Sequence, residues 1–198
     1  PLNLGDEYLT VSNGQRFAVS FDYKLNAVPI DSSKQLSFSF FTATSSYGSA
    51  VQQKFNYNYQ SNDGMRWWIR TYDETHVWNQ FSDTVTIDKA DNGNILYFVF
   101  HQGDQITGYV DNITITPLAE DDVVVSTQKY TTNGKAYYIG KKGQTCTLDK
   151  SLTRPGNYVF VGWFDNKSFA NEVSSFKFST DTKVFAAFAI KEIKQGFE

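Results

Sequence analysis

Two tryptophans and two arginines share one short stretch of the chain, Met65-Arg66-Trp67-Trp68-Ile69-Arg70-Thr71-Tyr72. Flat aromatic faces stack on pyranose rings, and planar polar groups hydrogen-bond sugar hydroxyls, so this mixture on one accessible surface points to saccharide recognition. Side chains alternate along an extended strand, which puts Arg66, Trp68, Arg70 and Tyr72 on one face and Trp67, Ile69 and Thr71 on the other. The face shared with two arginines is the better solvent face, so Trp68 is the expected ligand-side ring and Trp67 the expected core ring. Residues 54–60 offer Asn56, Asn58 and Gln60 opposite a core set of Phe55, Tyr57 and Tyr59, and Asn58 joins the candidate site. Trp78 lies in a polar stretch, residues 73–82, that reads as a loop. There it either joins Trp68 and Tyr72 in a binding platform or folds back to cap an edge of the domain.

Other chemistries find little support. Glycoside hydrolysis needs two carboxylates held about 5 to 9.5 Å apart. The glutamates, at 7, 74, 120, 172, 192 and 198, are scattered among expected loops and ends. Asp73-Glu74 is the only acidic pair in the aromatic region, and adjacent residues on an extended chain point opposite ways. His76 and His101 are the only histidines, the single Cys146 has no nearby histidine in sequence, and no serine sits in a Gly-x-Ser-x-Gly elbow. Gly140-Lys141-Lys142-Gly143 lacks phosphate-loop spacing and reads as a hairpin turn. One cysteine allows no intrachain disulfide. These features predict a chain that is not an enzyme.

A formal net charge of -3, dispersed along the chain, gives no basic stripe for phosphates and no polybasic membrane patch, which argues against nucleic acid as a partner. The longest apolar runs, near residues 97–100 and 184–190, fall far short of the ~20 residues of a membrane-spanning helix, so no membrane insertion is expected. The chain opens at Pro1 without an initiator methionine and closes at Gly196-Phe197-Glu198, and is expected to be a piece of a longer protein.

The elements that would position the candidate site are strands. From Arg16, the segment RFAVSFDYKL alternates Phe17, Val19, Phe21, Tyr23 and Leu25 against Ala18, Ser20, Asp22 and Lys24, the period of a half-buried strand. The same period recurs over residues 36–41, 54–60, 65–72, 84–87, 95–101 and 107–116, between turn signals such as Asn62-Asp63-Gly64 and Asp91-Asn92-Gly93. Aromatics make up 17% of the chain, and no window sustains an apolar period of 3.6. The expected fold is therefore all-β, with a sandwich or jelly roll first. Pro117 and the acids Glu120-Asp121-Asp122 break the pattern as a solvated junction. The expected organisation is a sandwich over residues 1–118, a small second module over 119–191, and a linker or the start of a further module over 192–198.

The second module carries Arg154-Pro155-Gly156-Asn157-Tyr158-Val159-Phe160-Val161-Gly162-Trp163-Phe164, followed by Lys183-Val184-Phe185-Ala186-Ala187-Phe188. It resembles the Listeria-Bacteroides repeat of bacterial surface proteins, although Gly156-Asn157-Tyr158 holds one inserted residue and Phe188 stands where that family has tryptophan. The resemblance implies a β-grasp-like spacer without catalytic activity, in which Gly162 permits close packing beneath a buried Trp163. The first module, through Phe17-Ala18-Val19-Ser20-Phe21-Asp22-Tyr23-Lys24, Leu96-Tyr97-Phe98-Val99-Phe100-His101-Gln102-Gly103 and Tyr109-Val110-Asp111-Asn112-Ile113-Thr114-Ile115, resembles the jelly-roll carbohydrate-binding modules of bacterial glycanases. Such modules hold a structural calcium, so the resemblance implies a calcium site at Asp111, with Asp6 and Glu7 as substitutes for an opening strand that is not evident; Asp111 could equally cap a turn through its own backbone.

Together these resemblances imply a secreted or cell-wall-attached bacterial protein. Its expected partner is a polysaccharide or glycoconjugate. The alternative is an adhesin or stalk that grips a host or cell-surface protein, or nothing.

Overall fold

The structure is a computed structural model that describes residues 9–26, 36–43, 50–56, 65, 67–69, 76–88, 94–102 and 108–191. It is all-β, with no helix among the described residues. The first eight strands are β1 (Thr10–Val11), β2 (Arg16–Leu25), β3 (Leu36–Ala43), β4 (Val51–Gln53), β5 (Trp67–Ile69), β6 (Asn79–Thr86), β7 (Asn94–Gln102) and β8 (Gly108–Leu118). They form two sheets. One has the order β1-β7-β3-β4, with β5 also pairing β3; the other has the order β6-β2-β8. The chain crosses between them repeatedly, β1 to β2, β2 to β3, β5 to β6, β6 to β7 and β7 to β8, as in a β-sandwich.

The alternation of β2 places Phe17, Val19, Phe21, Tyr23 and Leu25 in the space between the sheets. Phe21 meets Phe38 of β3 edge-to-face at 4.4 Å and stacks on Phe81 of β6 at 4.9 Å, while Phe40 stacks on Phe98 of β7 at 4.8 Å. Aromatic pairs at these separations add to the stabilisation from area burial, and they supply most of this core's volume.

The remaining strands are β9 (Asp122–Gln128), β10 (Tyr137–Lys141), β11 (Thr145–Thr147), β12 (Tyr158–Phe164), β13 (Glu172–Val173), β14 (Ser175–Lys177) and β15 (Thr182–Ile190). Five make a sheet of order β10-β9-β15-β12-β13, with β9 and β15 parallel at its centre, the arrangement of a β-grasp sheet. β11 and β14 form a separate two-stranded ribbon. A second apolar cluster, Val123, Val125, Cys146, Leu148, Leu152, Trp163, Phe178, Val184 and Ala186, fills the space between them. Trp163 is fully enclosed and donates its Nε1–H to the Asp149 carbonyl at 2.6 Å.

Three sequence expectations need correction. β2 is buried on both faces along its middle: Ala18, Ser20 and Asp22 are enclosed like the phenylalanines, in a sheet whose β6 packs against β9 and with Gln80 and Asn112 bonded to Asp22. Residues 79–82, expected as loop, belong to β6, where Asn79 and Ser82 are buried and their polarity serves contacts rather than solvent. Of the strand expected over 54–60 the structure describes only residues 54–56, where Phe55 makes a single bridge to Val85 and Asn56 is in a turn; residues 57–60 lie outside the described residues. The turn after Gly140 joins strands of two different sheets and is no hairpin. Gly140 itself leaves room for the Phe178 ring, and a Cβ at Gly162 would meet the Glu172 side chain.

The junction is short and tied down. Pro117 sits in β8, which tolerates it as the edge strand of its sheet. The turn from Ala119 to Asp122 is closed by Asp122 N–H to the Ala119 carbonyl, and by Ala119 N–H to Asp122 Oδ2 at 2.7 Å. Arg16, at the start of β2, donates to the Asp122 carbonyl and pairs with Asp181 at 2.6 Å, just before β15. Further along the seam Ser82 Oγ donates to the Thr127 carbonyl, Tyr137 shares a hydrogen bond with Thr116, and Lys183 reaches Asp83 at 3.6 Å with both side chains enclosed. Burying ions without close partners is costly, so this seam must be ordered to exist at all.

Candidate functional site

Antiparallel pairing builds rows across the outer face of the β6-β2-β8 sheet. Asp22 lies opposite Gln80 of β6 and Asp111 of β8, and Lys24 lies opposite Tyr109. Trp78 immediately precedes β6, whose first residue, Asn79, lies opposite Tyr23, so the end of the sheet brings Trp78, Lys24 and Tyr109 into one cluster.

Tyr109 is 54% exposed and Trp78 is half-buried. Their rings are 6.5 Å apart and inclined at 47°. The Lys24 ammonium stands 5.0 Å from the Tyr109 ring centre and 5.4 Å from that of Trp78, within cation–π range of both. Two inclined aromatic surfaces with a cation between them can stack on a sugar ring and hold a polar substituent at its rim.

Behind this cluster runs a buried polar chain. Lys129, just after β9, has no exposed surface and donates from Nζ to Gln80 Oε1 at 2.6 Å and to the carbonyls of Gly134 and Thr131. Gln80 Nε2 donates to Asp22 Oδ1 at 2.8 Å, and Asn112 Nδ2 donates to Asp22 Oδ2 at 2.7 Å. The chain therefore links the second module to three strands of the first. Burial pulls the Lys129 ammonium down from 10.5 to about 8, against the attraction of Asp22 and Asp149. Its donors are all met by oxygens, which fixes the floor beside the aromatic pair.

Of the residues expected to bind saccharide, Trp78 is the one whose side chain the structure describes. Trp68 lies in β5 opposite Ser37 of β3, but its side chain is outside the described residues. β5 belongs to the other sheet from β6. Arg66, Arg70, Tyr72 and Asn58 lie outside the described residues, as do Asp6 and Glu7.

Asp111 is exposed, and its Oδ1 accepts the Asn112 N–H at 2.8 Å, the local backbone turn that short acidic side chains favour. Among the described residues no three His, Cys, Asp or Glu side chains gather as metal ligands. His76 is exposed in the turn before β6, and Cys146 is buried in the second core with its thiol pushed up by burial.

Sequence reasoning missed Lys24 and Tyr109. Both stand on the outer faces of their strands, and an aromatic on that face of β8 was the available signal. Their meeting depends on the β2–β8 register, which includes an irregularity between Ser20 and Asp22 that no periodicity reveals.

No protein-family model matches the chain, and no curated protein matches it.

Proposed function

We propose that the chain is a non-catalytic saccharide-binding fragment of a secreted or cell-surface bacterial protein, and that it binds through Trp78 and Tyr109. The observation that carries this reading is the inclined aromatic pair, Tyr109 exposed on β8 and Trp78 half-buried just before β6, with a buried hydrogen-bonded floor beside it. An exposed tyrosine on a strand is common; one paired with a tryptophan over a shared lysine is a preorganised surface, which lowers the ordering cost of binding. Trp68 and its neighbours on β5 are a separate candidate surface, because β5 belongs to the other sheet. Calcium enters the proposal as a structural ion at Asp111.

The test is a glycan array followed by affinity gels run with calcium and with chelator, comparing the wild-type chain with Trp78→Ala, Tyr109→Ala and Trp68→Ala. Retardation lost in the first two variants, with the thermal transition retained, supports this site. Loss in Trp68→Ala alone moves the site to the β5 sheet. No retardation on any glycan overturns the reading.

A second reading, a stalk or adhesin that contacts protein, is favoured by the exposed Val159 and Val161 of β12 and Ile190 at the end of β15. Pull-down results that depend on those three positions, with no glycan bound, would support it.

A further inference from the structure

The cation between the two rings selects among saccharides. We propose that the ligand is an acidic saccharide, whose sugar ring lies on Tyr109 and Trp78 while its carboxylate is drawn to Lys24. This inference rests on the saccharide reading above and narrows it to uronic-acid-type sugars.

The charges along the seam are committed elsewhere. Arg16 pairs with Asp181, Lys141 with Asp121 and Asp122, and Lys183 with Asp83. Lys24 makes no ion pair among the described residues, and its ammonium is held only against the faces of Trp78 and Tyr109. The carboxylate nearest along its own strand face, Asp22, is buried and has both oxygens occupied by Gln80 and Asn112. Asp111, two residues along β8 from Tyr109, turns Oδ1 to the Asn112 N–H.

A neutral sugar needs stacking and hydrogen bonds, and any small polar side chain between the rings would serve it. A fixed cation there gains most from an anionic substituent, because the rings already restrict the ammonium and leave little ordering to be done on binding. The chain as a whole carries a formal net charge of -3, so general attraction does not draw it to a polyanion. Preference for an acidic polymer must then come from a local site.

The probes are polygalacturonate and its methyl-esterified form, which share a backbone and differ in charge, with a neutral xylan as a third ligand. Titration of the whole chain is expected to show polygalacturonate binding at least tenfold tighter than the ester. In Lys24→Gln the acid's advantage over the ester should collapse, and in Lys24→Arg it should persist. Trp78→Ala and Tyr109→Ala should weaken acid and ester alike.

Equal affinity for acid and ester in the wild-type chain, or an acid preference that survives Lys24→Gln, overturns the acidic-sugar inference and leaves saccharide binding standing. No binding to any of the three polymers, together with a blank array, overturns both. Thermal transitions recorded for every variant separate lost binding from lost folding.

Discussion

Lys129 carries an ammonium into a place that solvent does not reach, and its cost depends on pH. Burial lowers its proton affinity from 10.5 to about 8 in the folded chain. Below pH 8 both folded and unfolded chains hold the proton, so the full penalty of burying a charge is present. Between about 8 and 10.5 the unfolded chain binds more protons than the folded one, so this group's contribution to stability rises with pH. At about 1.4 kcal/mol per pH unit the whole rise is on the order of 3 kcal/mol. Burial pushes Cys146 and Tyr138 up, and their contributions run the other way above pH 9 and 10 respectively. Denaturant melts of wild type and Lys129→Met at pH 7 and 9 isolate the lysine: wild type should gain stability relative to the variant at the higher pH, and a constant difference would contradict this assignment.

Gly140 is a second residue with a defined cost. A Cβ there would lie 2.4 to 2.8 Å from three atoms of the Phe178 ring, which is buried and cannot swing aside. Gly140→Ala should lower stability by roughly 1 to 3 kcal/mol, the usual cost of overpacking, visible as a lowered midpoint in chemical denaturation.

At the scale of elements, legibility follows the strength of the period. β12 and β15 coincide with the aromatic runs Tyr158–Phe164 and Val184–Ile190, which are long enough and apolar enough to read as strands. β11, β13 and β14 are two or three residues long, too short for any period to show. β6 was half hidden because Asn79, Gln80, Ser82 and Asp83 look like loop residues, yet they face a partner sheet and not water. The middle of β2 is likewise buried on its outer face, where polar residues were expected to meet water. Trp78 was legible as a candidate by residue type alone, whereas Lys24 and Tyr109 required a register between strands far apart in sequence.

The seam between elements also predicts a mutant pair. Lys183→Met leaves Asp83 enclosed without its cation and should cost about 3 to 5 kcal/mol, whereas Lys183→Met with Asp83→Leu should recover most of that loss. Equal stability of the single and double variants would show that the two groups do not interact.

For the whole molecule, the outer face of one module's sheet is the inner surface of the seam. Arg16, Ser82, Gln80 and Thr116 bond across it, and Asp83, on the alternate face of the edge strand β6, pairs with Lys183. The two modules should therefore melt in one calorimetric transition whose calorimetric and van't Hoff enthalpies agree; two resolved transitions would mean that the seam contributes little. A second module held this way acts as a buttress for the β2-β6-β8 sheet, and so for the aromatic pair at its end.

The most direct test of the central claim is an isothermal titration of the best array saccharide into the wild-type chain and into the Trp78→Ala/Tyr109→Ala double variant. Removing both rings should cost at least about 2 kcal/mol, roughly 30-fold in affinity, with the thermal transition unchanged. Affinity in the double variant equal to wild type would contradict the account.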